Sequence, residues 1–274
     1  MSDAKGRAAA WDPAEYLKFS NERSRPFFDL LDHISLLEVE RVVDLGCGPG
    51  NLTRYLAERW PMARVTGVDR SREMLEQAQR HTLFRRLNFV EADLIEWSTD
   101  EPVDLLFSNA ALQWVPDHAT LIERLARMVA PRGTFAAQMP INRYDPSHEA
   151  IRKVAADRRW ASRLDGVGLD REWVQPATWY VERLHALGFG VNAWETTYVH
   201  VMRGEEPVLA WLRGTALRPI VAALEPAEAS VFERCLAEEL HRAYPPQGDL
   251  TLMPKARVFF VATRKSTESS QVRR

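Results

Sequence analysis

The chain has 274 residues, 46% hydrophobic and 27% charged, a composition typical of a globular protein that needs no metal or disulfide to stabilise its core. Its formal net charge of −2 argues against nucleic acid or an anionic membrane surface as a partner. Cys47 and Cys235 lack metal-ligand spacing, the first residues lack a signal-peptide pattern, and no apolar run reaches the ~18 residues of a membrane helix, so we expect a cytoplasmic protein without a metal.

Strands and helices are predicted to alternate through the first half of the chain. A helix is expected to begin near Asp12-Pro13, to run through Arg23 and to resume after Pro26. Short apolar runs predict strands at Arg41–Leu45, Arg64–Val68, Asn88–Val90, Val103–Ser108 and Gly133–Met139. Helical periodicity predicts helices between them at Asn51–Trp60, at Ser71–Arg80 and after a capping Asp117. The alternation predicts an α/β fold, a Rossmann-like, doubly wound, mostly parallel sheet with helices on both faces.

The second half of the chain is less regular and is expected to complete a single domain over residues 11–264. A helix is predicted at Pro176–Leu187, with strands at Val191–Val201 and Arg257–Thr263. Segments at about 11–32, 141–175 and 203–255 are predicted to form a helical and aromatic cover over the site. The polar ends, residues 1–10 and 265–274, are predicted to be a disordered lead-in and tail.

The strongest functional signal is a glycine-rich turn at the predicted carboxyl end of the first strand, the edge where such sheets bind ligands. Three alternate glycines there allow positive φ and a close approach of the backbone to a ligand. The spacing GxGxG differs from the dinucleotide fingerprint GxGxxG and fits S-adenosylmethionine better. A turn that needs glycine only for its geometry is the alternative. The predicted cofactor residues of this turn are Asp44, Gly46, Cys47, Gly48, Gly50 and Asn51.

A second signal lies at the end of the second strand, where Asp69 and Arg70 follow RVTGV. A carboxylate at Asp69, which is 69 − 46 = 23 residues after Gly46, can accept both hydroxyls of a ribose. Because S-adenosylmethionine and NAD both carry that ribose, this signal does not separate them. The alternative is an aspartate that caps the helix after Ser71.

Two further turns are predicted to complete the cofactor site. Asp93 and Leu94 follow the third strand, where they can meet the adenine edge while Met74 packs on its face. The alternative is a loop acid and a core methionine. After the fourth strand, Asn109, Ala110 and Trp114 are predicted to lie beside the sulfonium, although core packing is the commoner fate of a tryptophan. Close to them, Gln113 is a candidate substrate ligand and His118 is expected at the surface.

At these residues the sequence resembles the Rossmann-like S-adenosylmethionine methyltransferases and, more narrowly, the trans-aconitate 2-methyltransferases. The resemblance extends from Trp11 to Arg264. Its segments are WDPAEYLKFSNERSRPFFDLL, VVDLGCGPGN, FVEADL, NAALQWVPDH, QMP, WETTYVHVM and LRP. The resemblance implies methyl transfer from S-adenosylmethionine to a carboxylate of trans-aconitate, with a monomethyl ester and S-adenosylhomocysteine as products. Arg70 departs from the family, which tends to have a small polar residue there, and residues 141–175 match weakly.

A carboxylate acceptor needs no general base, because it is already ionised at neutral pH. We therefore expect catalysis by positioning and by exclusion of water, with no catalytic acid or base. The other carboxylates of a polyanion need cations, and arginine pairs with them in bidentate fashion. The cations considered are Arg23, Arg143, Arg171, Arg213, Arg218 and Arg257, of which Arg23, Arg143 and Arg218 are preferred, with Tyr16, Tyr144 and Tyr198 as neutral donors. A surface ion pair is the alternative for each.

Three functions remain open from the residues. The first is the carboxylate methyltransferase, the second is a methyltransferase for another small-molecule O, N or C acceptor, and the third is an NAD-dependent oxidoreductase. For the first, the partner is a small acidic substrate, and the segment Trp11–Arg25 is predicted to close over the ligands as a lid.

Overall fold

A computed structural model describes residues 20–81, 85–167, 169 and 172–266. The chain divides into two compact units, each described here by itself. The sheet unit comprises Asn21–Ile141, Trp173–Thr196 and the chain from Ala256, and the helical unit comprises Asn142–Glu172 and Thr197–Lys255. Among the described helices, none has the length and apolar character needed to cross a membrane.

The sheet has seven strands in the order β3-β2-β1-β4-β5-β7-β6. Their bounds are β1 (Arg41–Leu45), β2 (Arg64–Asp69), β3 (Leu87–Glu91), β4 (Val103–Asn109), β5 (Val129–Pro140), β6 (Phe189–Arg203) and β7 (Leu250–Arg264). Strands β1 to β5 pair in parallel, and β7 pairs antiparallel with β5. The strand order reverses between β1 and β4, and such a reversal places the ligand crevice at the carboxyl ends of these strands. The prediction of a Rossmann-like, mostly parallel sheet is confirmed.

In the part of the chain that the structure describes, the sheet unit contains the α-helices α1 (Ser20–Asp32), α2 (Thr53–Arg59), α3 (Arg72–Ala78), α4 (His118–Arg127) and α7 (Ala177–Ala186). Asp117 caps α4 through a hydrogen bond from the Thr120 N–H, as predicted. Helix α1 does not pause at Pro26, contrary to the prediction. The buried side chain of Phe27 packs against Phe107 of β4, and burial of such a ring stabilises by ~1.5–3 kcal/mol, which offsets a missing backbone hydrogen bond.

The predicted strands agree with the observed ones to different degrees. Strand β1 has the predicted bounds, and four of its five residues are buried, which is typical of a central parallel strand. Strand β5 begins at Val129 rather than at Gly133. Its pairing with β4 is irregular near Val103, and Arg132 has φ of 66°, so the strand accommodates Pro131 and Gly133 without ending.

The helical unit contains α5 (Pro146–Ala155), α6 (Ala161–Leu164), α8 (Pro207–Arg213), α9 (Arg218–Ala223) and α10 (Pro226–Ala243). Its own core includes Ile151, Trp160, Leu212 and Phe232. A buried ion pair joins Lys255 to Asp145 at 2.5 Å. This unit contains most of the predicted cover segments 141–175 and 203–255, and their covering role within one domain stays a prediction. The predicted lead-in, the predicted start of the first helix near Asp12 and tail residues 267–274 lie outside the described residues.

Candidate cofactor and active site

The glycine-rich turn connects β1 to α2 and has three residues at positive φ, Gly46 at 74°, Gly48 at 54° and Gly50 at 71°. The backbone N–H groups of Gly46 and Cys47 both donate to the carbonyl of Val68 on β2, at 2.7 and 3.1 Å. These bonds fix the turn to the neighbouring strand. The conformation disfavours any residue with a Cβ at all three positions.

The three glycines differ in what surrounds them. A Cβ on Gly46 would lie 2.1 Å from the Cβ of Ala111, and one on Gly50 would lie 2.7 Å from the ring of Phe89. A Cβ on Gly48 would meet nothing within 4 Å. Gly46 and Gly50 are therefore explained by packing, whereas Gly48 leaves open space beside the backbone that a ligand can approach.

Asp69 connects this turn to the next one. Its Oδ2 accepts the Gly48 N–H at 2.9 Å, and its Oδ1 accepts the Ser71 N–H at 2.9 Å. Helix α3 is capped by Ser71, whose hydroxyl accepts the Met74 N–H, so the aspartate does not replace the cap. A carboxylate has about four acceptor positions, and the two unused ones are available to ribose hydroxyls. Arg70 is exposed beside it.

Asp44 lies at the base of the turn and is 3% exposed. Its carboxylate accepts the Thr53 hydroxyl at 2.7 Å. Burial raises the pKa of Asp44 to about 7, with a further increase from the charge of Asp69 and a partial decrease from the Thr53 bond. Burial and the two nearby carboxylates also raise the pKa of the Cys47 thiol, which is therefore neutral and unreactive. Thr53 was not predicted, although a hydroxyl nine residues after an acid in such a turn is a readable signal.

The residues predicted for the adenine lie in the same unit. Met74 on α3 is 4% exposed and Leu94 is 9% exposed. Asp93 is half-buried, and its Oδ1 accepts the Ile95 N–H at 2.8 Å. That bond shapes the loop after β3, and an adenine amino group can use the other oxygen. Adenine binding by these three residues stays a prediction, as does the cofactor-binding role of Asn51, which is half-buried where the glycine turn enters α2.

The backbone bends sharply at the carboxyl end of β4. Ala110 has φ of 53°, and its N–H donates to the carbonyl of Gln138 at 3.0 Å. The amide Nε2 of Gln113 donates to the Ala110 carbonyl at 2.7 Å, and its buried Oε1 has no partner among the described residues. Trp114 is 51% exposed, so core packing is the wrong interpretation of this ring. Non-glycine residues at positive φ cluster at functional sites, where the surrounding structure enforces them.

His118 is buried, contrary to the expectation of a surface position. Its Nε2 lies 3.0 Å from the Leu112 carbonyl, and its Nδ1 lies 2.6 Å from the Tyr180 hydroxyl. Because a carbonyl only accepts, Nε2 carries the proton and Tyr180 donates to Nδ1. Burial lowers the pKa of His118 and raises that of Tyr180, so both are neutral. The pair fixes the segment after β4 against α7.

The predicted substrate ligands fall in different parts of the chain. Tyr16 lies outside the described residues, as does Arg171, one of the candidates not preferred, and Arg23 lies in α1 with its side chain undescribed. In the helical unit, Arg143 pairs with Glu172 at 2.6 Å and Tyr144 is 82% exposed. In the same unit Tyr198 is buried and Arg218 is half-buried at the first position of α9. Gln113 belongs to the sheet unit, and the substrate roles of all these residues stay predictions.

A cavity of about 360 Å³ lies at the opposite, amino-terminal edge of the strands and is lined by Arg124 and Arg264 among others. Arg124 donates to the carbonyls of Leu94 and Trp97, and Arg264 donates to the carbonyl of Ala126. These cations already stabilise backbone carbonyls. Within the described ranges, no three His, Cys, Asp or Glu side chains are grouped as a metal would require.

The chain is similar in sequence to known methyltransferases. A family model described as a methyltransferase domain matches residues 42–133, which include the glycine turn, Asp69, Asp93 and Asn109. The chain is 46% identical to the trans-aconitate 2-methyltransferase of Streptomyces coelicolor, over 94% of this chain and 88% of that one. It is 44% identical to the protein of that name from Methylobacterium nodulans, over 93% and 99%, and 41% identical to that from Mycobacterium tuberculosis, over 92% and 96%.

Solved structures share the fold at low sequence identity. The YcgJ protein of Bacillus subtilis has a TM-score of 0.58 and 12% identity, over 88% of this chain and 99% of that one. Phosphoethanolamine N-methyltransferase 2 of Haemonchus contortus, in complex with S-adenosyl-L-methionine, has a TM-score of 0.53 and 17% identity, over 88% and 53%. These similarities show the fold alone.

Proposed function

The chain belongs to the trans-aconitate 2-methyltransferase family, and we propose that it transfers a methyl group from S-adenosylmethionine to one carboxylate of trans-aconitate. The product is a monomethyl ester. The single observation that carries the proposal is the identity of more than 40% with family members over more than nine-tenths of the chain.

The residues of the candidate site fit S-adenosylmethionine. The open space beside Gly48 accommodates a ligand against the backbone, and Asp69 retains acceptor positions for two hydroxyls. Asp44 is a buried acid close to the same turn. When ionised, it stabilises a cationic group such as an ammonium. The predicted contacts of Met74, Asp93 and Leu94 with adenine, and of Ala110 and Trp114 near the sulfonium, complete the assignment.

The reaction requires the protein mainly to position the acceptor carboxylate against the methyl group. S-adenosylmethionine supplies, when bound, an electrophilic methyl group on a sulfonium. The acceptor carboxylate is ionised at neutral pH, so no side chain has to remove a proton. The chain holds the carboxylate oxygen in line with the reacting bond and excludes water from it. Arg143 and Arg218, with Tyr16, Arg23, Gln113, Tyr144 and Tyr198, are the side chains we assign to the substrate.

The two alternatives are less well supported. An NAD-dependent oxidoreductase is disfavoured by the GxGxG spacing and by the methyltransferase relatives. A methyltransferase for an amine or phenol needs a side chain that removes a proton when the acceptor is protonated. Nothing in the described site favours such a base, since both ring nitrogens of His118 are occupied by hydrogen bonds with Tyr180 and Leu112.

A substrate panel with isotope-labelled S-adenosylmethionine tests the proposal. Purified full-length protein should label trans-aconitate and leave amines, phenols and neutral acceptors unlabelled. Labelling of an amine or phenol without labelling of any polycarboxylate would refute the substrate assignment. A second arm removes residues 1–25, which contain the proposed lid Trp11–Arg25, and should retain S-adenosylhomocysteine binding while losing most turnover. Full turnover by this truncated protein would refute the lid.

A further inference from the structure

Three polar side chains form a chain of hydrogen bonds across β4, β5 and β7 at the carboxyl edge of the sheet. The Nη1 group of Arg257 donates to Oε1 of Gln138 at 3.0 Å, and Nε2 of Gln138 donates to Oδ1 of Asn109 at 2.6 Å. Gln138 is fully buried and Arg257 is 5% exposed. Asn109, at the end of β4, is only half-buried and is accessible to a ligand.

The guanidinium of Arg257 sets the orientation of the side-chain amides of Gln138 and Asn109. A guanidinium has N–H donors and no acceptor, so the oxygen of the Gln138 amide must face Arg257. The NH2 group of Gln138 must then face Asn109. The amide oxygen of Asn109 accepts this hydrogen bond, so the NH2 group of Asn109 lies on the side away from Gln138.

The backbone holds Asn109 in the same place. Asn109 and Gln138 are register partners in the parallel pair β4–β5, so their side chains lie on one face of the sheet. The carbonyl of Gln138 also accepts the N–H of Ala110, the residue at positive φ that ends the strand. Gln138 therefore orients both the side chain and the backbone at this point.

We infer that Arg257 and Gln138 are positioning residues that make Asn109 present an NH2 donor, which binds a carboxylate. This inference rests on the proposed function, in which both the methyl acceptor and the amino-acid end of the cofactor carry a carboxylate. The donor polarity is what matters, because an acceptor in that place repels a carboxylate. The shared chemistry is a carboxylate, and the test separates its two sources.

The decisive variant is Asn109→Asp. Aspartate keeps the size of asparagine and still accepts from Gln138, so the fold is retained, but it replaces the NH2 donor with an anionic acceptor. If the acceptor's carboxylate binds there, the KM for trans-aconitate rises at least tenfold while the Kd for S-adenosylhomocysteine, measured by calorimetry, changes less than threefold. If the cofactor's carboxylate binds there, the Kd rises at least tenfold. Changes below threefold in both KM and Kd would overturn the inference.

Two further variants separate polarity from charge and from folding. Asn88→Asp adds the same charge at an exposed position on β3 and should leave both constants unchanged. Gln138→Glu keeps the contact with Arg257 but cannot donate to Asn109, so it should raise the same constant as Asn109→Asp while the thermal midpoint stays at or above that of the wild type. A Gln138→Glu protein with the thermal midpoint, KM and Kd of the wild type would show that Gln138 does not orient the Asn109 amide. If wild-type protein fails to methylate trans-aconitate, the proposed function fails, and the cofactor's carboxylate is then the one left to test. In that case an Asn109→Asp protein whose Kd for S-adenosylhomocysteine changes less than threefold overturns the inference.

Discussion

The carboxylate of Asp69 accepts a hydrogen bond from the backbone N–H of Gly48 at 2.9 Å, which ties the turn after β2 to the turn after β1. A second bond, from the Ser71 N–H, holds the other carboxylate oxygen. The residue predicted to bind the ribose therefore also shapes the glycine turn. Loss of its side chain should affect the ligand and the turn together.

We expect Asp69→Ala to weaken S-adenosylhomocysteine binding by about 1.5–3 kcal/mol, the range for loss of a hydrogen bond to a charged group. Asp69→Asn has one acceptor oxygen and can satisfy only one of the two N–H groups, so its effect should be intermediate. Titration calorimetry measures both, with thermal unfolding as the check on folding. Binding of Asp69→Ala as tight as that of wild type would refute the ribose assignment.

Gly48→Ala should weaken cofactor binding while the protein stays folded. The new methyl group meets nothing within 4 Å, so the change in stability is the ~1–2 kcal/mol strain of a Cβ at φ of 54°. Gly248→Ala is the matched control, because Gly248 also has positive φ and open space but lies far along the chain in the helical unit. Both variants should lose similar stability in urea unfolding, and only Gly48→Ala should lose S-adenosylhomocysteine affinity. Equal affinity of the two would show that the ligand does not approach Gly48.

Asp44→Asn should make the ligand-free protein more stable at high pH. The pKa of Asp44 is about 7 in the folded chain against an ordinary 3.8, so between these values the folded state holds a proton that the unfolded state has lost. Stability from this group is therefore full below pH 3.8 and is lost as the pH rises through 7. At pH 8 the variant should exceed the wild type by about 1–4 kcal/mol in free energy of unfolding, and at pH 5 the difference should be smaller. A difference that does not change with pH would contradict the raised pKa.

Tyr180→Phe should destabilise the sheet unit by about 1–3 kcal/mol, because it leaves the buried Nδ1 of His118 without its donor. The pKa of His118 is lowered in the folded state, so the wild type loses this stability as the pH falls below 6.5. His118→Gln should flatten that part of the pH profile. Urea unfolding between pH 5 and 8 measures both effects, with Tyr144→Phe at an exposed position as the control. A Tyr180→Phe protein as stable as that control would refute the buried pair.

Arg143→Ala and Arg218→Ala should each raise the KM for trans-aconitate roughly tenfold to a hundredfold, which corresponds to ~1.5–3 kcal/mol for a lost charge-assisted pair. Binding of S-adenosylhomocysteine should change little. Arg213→Ala is the matched control, because Arg213 pairs with Glu233 in the same unit. Glu172→Gln releases Arg143 from its partner and should not raise the KM. If Arg213→Ala raises the KM as much as the other two variants, the rise comes from the loss of positive charge in general, and the assignment of Arg143 and Arg218 to the substrate is refuted.

The local features of the chain were largely predictable from its sequence. Strand β1, the glycine turn after it and the Asp117 cap all depend on neighbouring residues, and each was found where predicted. Predictions that depended on distant packing were less accurate. His118 was expected at the surface because it follows a polar helix start, but Tyr180, 62 residues away, buries it.

The sequence by itself determined the order of strands and helices along the chain, the place of the glycine turn and the family, because periodicity, glycine spacing and shared segments are all properties of short stretches of chain. Only the tertiary structure decided which glycine has open space beside its backbone and which side of the Asn109 amide faces Gln138. Those answers depend on Ala111 against Gly46, and on partners that lie 29 residues apart for Asn109 and Gln138 and 119 apart for Gln138 and Arg257. Strand pairing brings such residues together. One side chain can fix which side of the next donates and which accepts only once the sheet has formed.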